Sequence, residues 1–271
     1  MTDPDLQLVE RARSGDSASL NDLIAQIQHL VYNLAIRMLN SPSDAEDMTQ
    51  EILMKVVTSL GSFRGDSAFR TWVYRVASNH LLTARKRAAE QRIESFEAMG
   101  ERLAENLRAG DTPVEEQVLL DEGKLICTST MLMCLDRDHR LAFILGEILE
   151  LPSEQACQIL EIEDAAYRKR VSRARARMTE FMGKTCGLVN EQNACRCGNQ
   201  VAHGIAVGMI DPSCLVWTQL PIEQRRARVA EIDDIKRAVE IFRGHPRYIA
   251  PESLVANLRR RLANPSSDLL A

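Results

Sequence analysis

The chain has 271 residues, 45% of them hydrophobic and 27% charged, enough for two or more small domains with cores of their own. No window reaches the roughly 18 uncharged apolar residues of a membrane span, and the start "MTDPDLQLVE" is not a basic-then-apolar leader, so the expectation is a cytoplasmic protein with no membrane partner. The formal net charge of −4 argues against a nucleic-acid partner, but the average hides segregation: residues 1–63 hold nine acids against four bases, 64–87 hold six bases against Asp66 alone, and 168–177 hold six bases and no acid.

Helical periodicity dominates, with no alternating strand, no Asn-Gly hairpin and no internal repeat, which makes the class all-α. Residues 4–13 read as a short helix and 18–39 as a longer one. A third opens at Ser43, where Ser43 and Glu46 form a capping-box pattern, and runs to about Ser59. "GSFRGDS" breaks the pattern with two glycines, and a fourth helix follows over 69–87. Its 3.6-residue wheel places Phe69, Val73, Val76 and His80 on a core stripe with Trp72 and Thr83 at the edge. The opposite face carries Arg70, Tyr74, Arg75, Ser78, Leu82 and Arg85, with Asn79 alongside, and the helix ends in Arg85, Lys86 and Arg87. Cations in a last turn complement the helix dipole, so simple solvation explains part of this. Aromatic and amide groups among the cations also suit stacking on, and hydrogen bonding to, unpaired bases.

Residues 88–116 turn polar and Glu-rich and end in "GDTPVEE", the composition of a linker. Helical patterning returns over 118–182. "LPSEQACQILEIEDAAYRKRVSRARARM" divides into a short helix, a tight turn at Glu161–Glu163 and a longer basic helix, which is helix-turn-helix spacing. On the second helix Tyr167, Val171, Ala174, Met178 and Phe181 point inward. Ala165, Arg168, Lys169, Ser172 and Arg173 point outward, with Arg175 one step further along. Short residues at the start admit a helix to a major groove, where arginines pair with guanine edges or grip phosphates.

Beyond Gly183 the composition shifts again. Cys186, Cys195 and Cys197 form C-x8-C-x-C, with His203 as first choice and Cys214 as second choice for a fourth ligand of zinc or copper(I); the alternative is three reduced cysteines in a compact loop. Seven cysteines, with Cys127, Cys134 and Cys157 standing singly in helix-like patterns, argue against a disulfide framework. Further helices are expected over 223–243 and 252–263.

"DAEDMTQEI" followed by "FRGDSAFRTWVYRVASNHLLTARKR" resembles the second region of bacterial sigma factors of the extracytoplasmic-function group, and the "SRARAR" helix is similar to their fourth region. The resemblance implies a division into region 2 over 1–88, a linker over 89–117, a region 4 helix-turn-helix over 118–182 and an added extension over 183–271. It implies that Asp44, Glu46, Asp47, Gln50 and Glu51 face core RNA polymerase. It also implies that Asn79 with Phe63, Arg64 and the following loop holds an extruded promoter base, while Arg70, Arg75, Arg85, Lys86 and Arg87 hold the backbone. Glu161 departs from the glycine usual at that turn. The cysteine-containing segment resembles an appendage that replaces a separate anti-sigma partner.

The functional expectation is therefore a transcription initiation factor that binds polymerase and promoter DNA, is not an enzyme, and requires no cofactor, with zinc or copper an option in the extension. The sequence has no P-loop, no H-E-x-x-H and no dinucleotide fingerprint. The competing reading is an autonomous metal- or thiol-responsive helix-turn-helix regulator.

Overall fold

A computed structural model of the chain describes residues 5–84, 95–109, 112–224 and 234–263. Helix α2 (Ser17–Leu39) lies at the centre of a first bundle, touching α1 (Asp5–Arg13), α3 (Pro42–Thr58) and α4 (Phe69–Thr83). Its second half is buried on every side, from Val31 through Leu39, as a central helix requires. Asp16 caps its start by accepting from the Ala18 N–H at 3.0 Å, and Asn40, at φ 53, ends it in the left-handed conformation. The cap of α3 is Ser41, whose Oγ accepts from the Asp44 N–H at 3.3 Å, with Pro42 opening the helix. The expected Ser43–Glu46 box is thus displaced by two residues, because proline's fixed φ and missing N–H suit the first helical position.

Within the stretch expected as linker, α5 (Phe96–Arg108) packs through a narrow stripe of Phe96, Met99 and Leu103. The Phe96 ring lies 5.1 Å from Phe181, and the Arg177 guanidinium sits 5.2 Å above it. The polar composition hid this helix: three apolar residues at helical spacing were enough to dock it.

A second unit comprises α6 (Gln117–Met133), α7 (Arg137–Phe143), a π turn (Ile144–Ile148), α8 (Ser153–Leu160) and α9 (Asp164–Thr185). Gly146 is needed in the π turn, since a Cβ there would meet Tyr167 Oη at 2.5 Å. The two units are joined by Arg140, fully buried, which donates to Met38 O at 2.5 Å, Leu135 O at 2.9 Å and Met133 O at 3.3 Å. Arg137 likewise donates to Leu82 O and Ala84 O at the end of α4.

The extension runs back over both units. α10 (Cys197–Ala206), which the sequence did not suggest, packs on α5 and α6. Buried Glu122 of α6 accepts from the N–H groups of Val216, Trp217 and Thr218 and from Thr218 Oγ1 at 2.7 to 3.1 Å. Strands β1 (Ile222–Gln224) and β2 (Arg247–Tyr248) pair antiparallel, Ile222 opposite Tyr248, a ladder too short to show alternation in the sequence. The helix expected over 223–243 is described from Asp234, as α11 (Asp234–Arg243), and lies on α9 and the π turn. α12 (Glu252–Ala263) lies on α3 and α2, with Leu254 and Leu258 fully buried.

Candidate nucleic-acid interface

The loop before α4 is fixed by an aromatic cluster. Phe63 lies 5.5 Å from both Phe69 and Trp72, and Phe69 stacks on Trp72 at 5.9 Å. Phe63 is 4% exposed, so its ring supports the loop and does not offer a face to an extruded base, contrary to the expectation. An apolar ring next to a forming core turns inward. Arg13 donates to Phe63 O and Gly61 O at 3.3 and 3.2 Å and ties the same loop to α1. Arg64 is exposed beside it.

On α4, Asn79 and Arg70 are exposed, Arg70 pairing with Asp5 at 3.5 Å. The rest of the supposed outer face is not free. Tyr74 and Ser78 are buried, and α8 packs against the helix. Arg75 donates to Gln158 O at 3.0 Å and faces Glu161 at 3.7 Å, and Gln155 donates to Thr71 Oγ1 at 3.0 Å. Burial pushes the Tyr74 hydroxyl up to about 12. Arg85, Lys86 and Arg87 lie outside the described residues.

The acidic face of α3 is partly open. Asp47 and Glu51 are exposed, while Asp44, Glu46 and Gln50 are half-buried. Burial, followed by the neighbouring Asp47, raises the Glu46 carboxyl above its ordinary value. Glu51 hydrogen-bonds His80 Nε2 at 3.0 Å, which fixes α3 against α4.

On α9 the inward set Tyr167, Val171, Ala174, Met178 and Phe181 is buried, and Ala165, Arg168, Lys169, Ser172 and Arg173 are exposed along one side. Arg168 pairs with Asp164 one turn back. Arg175 is exposed as well, but it has a partner within the fold. Its guanidinium is held on the buried Glu147 carboxylate, Nε to Oε1 at 3.0 Å, and Arg243 of α11 reaches the other oxygen at 3.2 Å. A desolvated carboxylate needs cationic partners, and the fold supplies one from each side. The turn before α9 is closed by Glu161 at φ 53, ψ 42, the left-handed geometry that makes glycine common there.

Residues 23–91 match the family model for sigma-70 region 2. The RNA polymerase sigma-H factor of Pseudomonas aeruginosa is 33% identical over 175 residues, covering 63% of this chain and 90% of that protein. The ECF RNA polymerase sigma-E factor of Escherichia coli is 34% identical over 179 residues, with the same two coverages. The chain belongs to the extracytoplasmic-function group of RNA polymerase sigma factors. That membership sets aside the autonomous regulator, and sigma factors are not enzymes. The solved structure of CnrH in complex with the cytosolic domain of CnrY is 21% identical, with a TM-score of 0.48 over 66% of this chain and 97% of that chain.

Sequence reasoning missed how this sigma factor receives its own tail. His29, Asn33 and Arg37, spaced by four on α2, read the backbone of 246–250. Asn33 accepts from the Tyr248 N–H at 2.9 Å and donates to Tyr248 O at 2.6 Å; Arg37 donates to Pro246 O at 2.8 Å; His29 Nδ1 accepts from the Ala250 N–H at 2.9 Å. Three hydrogen-bonding residues at helical spacing on a helix otherwise so apolar were the available signal.

Cys186, Cys195, Cys197 and His203 line one cavity. Among the described residues no three His, Cys, Asp or Glu side chains are grouped so as to hold a metal ion, so these four are neighbours without a coordination shell. Cys214 is exposed and lies apart from the cavity lining. No helix among the described residues is long and apolar enough to cross a membrane.

Proposed function

We propose that this sigma factor engages core RNA polymerase through α3, with Asp44, Glu46, Asp47, Gln50 and Glu51 on the contact face, and reads duplex promoter DNA through Ala165, Arg168, Lys169, Ser172 and Arg173. Asn79 and Arg64 hold the extruded base, Arg70 and Arg75 the melted strand. The extension keeps the two DNA-binding units closed on one another until an input releases it. The observation that carries this regulation is the seating of α8 on α4, where Arg75 and Thr71 bond to Gln158 and Gln155 in place of a nucleic acid. The extension straps both units together, through Glu122 and α11 on one side and α12 and β2 on the other. Release exposes α4 and supplies the separation that two promoter elements require.

The test is Leu254→Asp combined with Leu258→Asp, which charges the buried side of α12 and leaves α2, α3 and α4 intact. Losing the burial of two leucines costs about 3 kcal/mol or more of docking. Single-stranded promoter DNA and core polymerase should then bind at least ~10-fold more tightly than to the parent. Equal affinities for parent and variant reject the closed-state regulation. Failure of both to bind polymerase rejects the assignment of α3.

A further inference from the structure

We propose that the cavity between α5, α6, α9 and α10 binds one neutral monocyclic aromatic molecule. The site goes beyond the sigma-factor reading and does not depend on it.

The cavity measures about 130 Å³. Apolar cavities of ~150 Å³ take up benzene. Its walls are drawn from distant parts of the chain: Leu103 of α5, Ile126 and Cys127 of α6, Phe181 of α9 and Val201 of α10, with Cys186, Cys195 and Cys197 along the segment that joins α9 to α10. Contacts around it hold the helices at their distances. A side chain at Gly123 would run into Val201, and one at Gly204 would meet Ile210 Cδ1 at 2.9 Å, so α10 already touches both α6 and the turn that follows it. Asn106 Nδ2 donates to Gln200 Oε1, and Gln200 Nε2 to Leu103 O, each at 2.8 Å, which ties α5 to α10. The joining segment is fixed from within: the Gly187 N–H donates to Cys195 O at 3.1 Å, and Asn193 Nδ2 donates to Gly183 O at 2.9 Å and Cys186 O at 3.1 Å. With α10 in contact at Gly123, the space remains because short side chains face it. Cysteine at four of these positions acts as a small apolar residue where leucine or methionine would fill the cavity.

The lining also sets the chemistry of the ligand. Its polar members are already engaged: Asn106 and Gln200 satisfy one another, Thr185 Oγ1 donates to Phe181 O at 2.7 Å, and Arg102 and His203 each interact within the fold. A charged ligand would have to break these pairings or go without its hydration, and a neutral apolar one asks for neither. Sulfur surrounds the space, from Met131 and Met209 as well as the four cysteines, and sulfur packs well against the edge of an aromatic ring. Met209 is 70% exposed and yet part of the lining, so it stands where the cavity meets solvent. Its unbranched side chain can swing aside for entry. Because the walls come from α5, α6 and the extension together, the ligand fits only their assembled arrangement and adds its binding energy to the docking of the extension.

The test titrates reduced full-length protein with benzene, by calorimetry and by amide NMR, without polymerase or DNA. One equivalent should bind, with shifts concentrated in α5, α6 and α10, and the melting temperature should rise as benzene saturates the protein. Cys127→Leu extends a side chain into the cavity and should weaken benzene at least ~10-fold while the helix content stays that of the parent. Where leucine disturbs the fold, the parent protein decides alone: benzylammonium, the same ring carrying a charge, should bind at least ~10-fold more weakly than benzene. Absence of saturable benzene binding, shifts that lie outside these helices, a folded Cys127→Leu that binds benzene as the parent does, or equal affinity for benzylammonium overturns the proposal.

Discussion

α4 and α9 carry the same kinds of side chain, arginines mixed with small and aromatic residues, and the fold treats them in opposite ways. On α9 Arg168, Lys169 and Arg173 stay at the surface, with Arg168 paired to its own helix, and only half-buried Arg170 among the earlier cations reaches another helix, pairing with Asp138 of α7 at 2.9 Å. On α4 part of the matching face is closed by α8, so Arg75 donates to the Gln158 carbonyl and Thr71 accepts from Gln155. The difference lies in neighbours. α9 packs through one stripe on α7, α8 and α11 and leaves the side with Ala165, Arg168, Lys169, Ser172 and Arg173 uncovered, whereas α4 is the surface on which the second unit rests. A helix that looks half solvated in sequence becomes an internal joint when a second domain docks on it.

The strongest way to break this asymmetry is Arg140→Ala. It leaves the carbonyls of Met38, Met133 and Leu135 without their buried donor and opens the joint behind α4. A loss of about 3 kcal/mol is expected in urea unfolding, with faster amide exchange in α4 than in α9. A change below ~0.5 kcal/mol would remove Arg140 as the tie between units.

A gentler lever is pH. His245 is 5% exposed, its Nε2 lies 2.6 Å from Thr128 Oγ1, and burial, aided by the Arg37 charge, lowers its pKa from 6.5 to about 3. The undocked tail takes up a proton more readily than the docked one. Docking is therefore at full strength above about pH 6.5 and weakens as pH falls toward 3. Tail protection from amide exchange should follow that course, and His245→Gln should flatten it; an identical slope in the variant would assign the effect to other groups.

The finest adjustment is Glu161→Gly. A left-handed non-glycine residue costs about 1 to 2 kcal/mol, glycine returns about 0.5 to 1 kcal/mol of that as chain entropy, and the exposed pair with Arg75 adds little. A net gain under ~1 kcal/mol is expected from thermal melts, with the α4–α8 contact preserved. Destabilisation would mean that the Arg75 pair matters more than the backbone.

Much of the molecule was legible in advance because local chemistry fixes it. The first three helices begin and end within about a residue of their expected bounds, and the inward stripe of α9 follows from its spacing of three and four, whereas the fourth helix ends at Thr83, short of the expected 87, and the break between α6 and α7 was not foreseen. The acidic, aromatic and basic runs were enough to name the family. α5 escaped because its stripe is only three residues wide. Phe63 was misread because whether a ring faces solvent depends on what stands opposite, here Phe69 and Trp72, and the hold of Arg175 on Glu147 could not be seen because the two are 28 positions apart.

The order of residues alone determined the helices, their polarity and the chemistry each carries, since periodicity and capping act within a few positions of one another. Only the three-dimensional packing decided that α8 covers α4, that residues 246–250 find His29, Asn33 and Arg37, and that Cys127 joins Cys186, Cys195 and Cys197. Those are meetings between segments tens to hundreds of positions apart. They are selected by which surfaces bury together, a property of the assembled whole that no local pattern encodes.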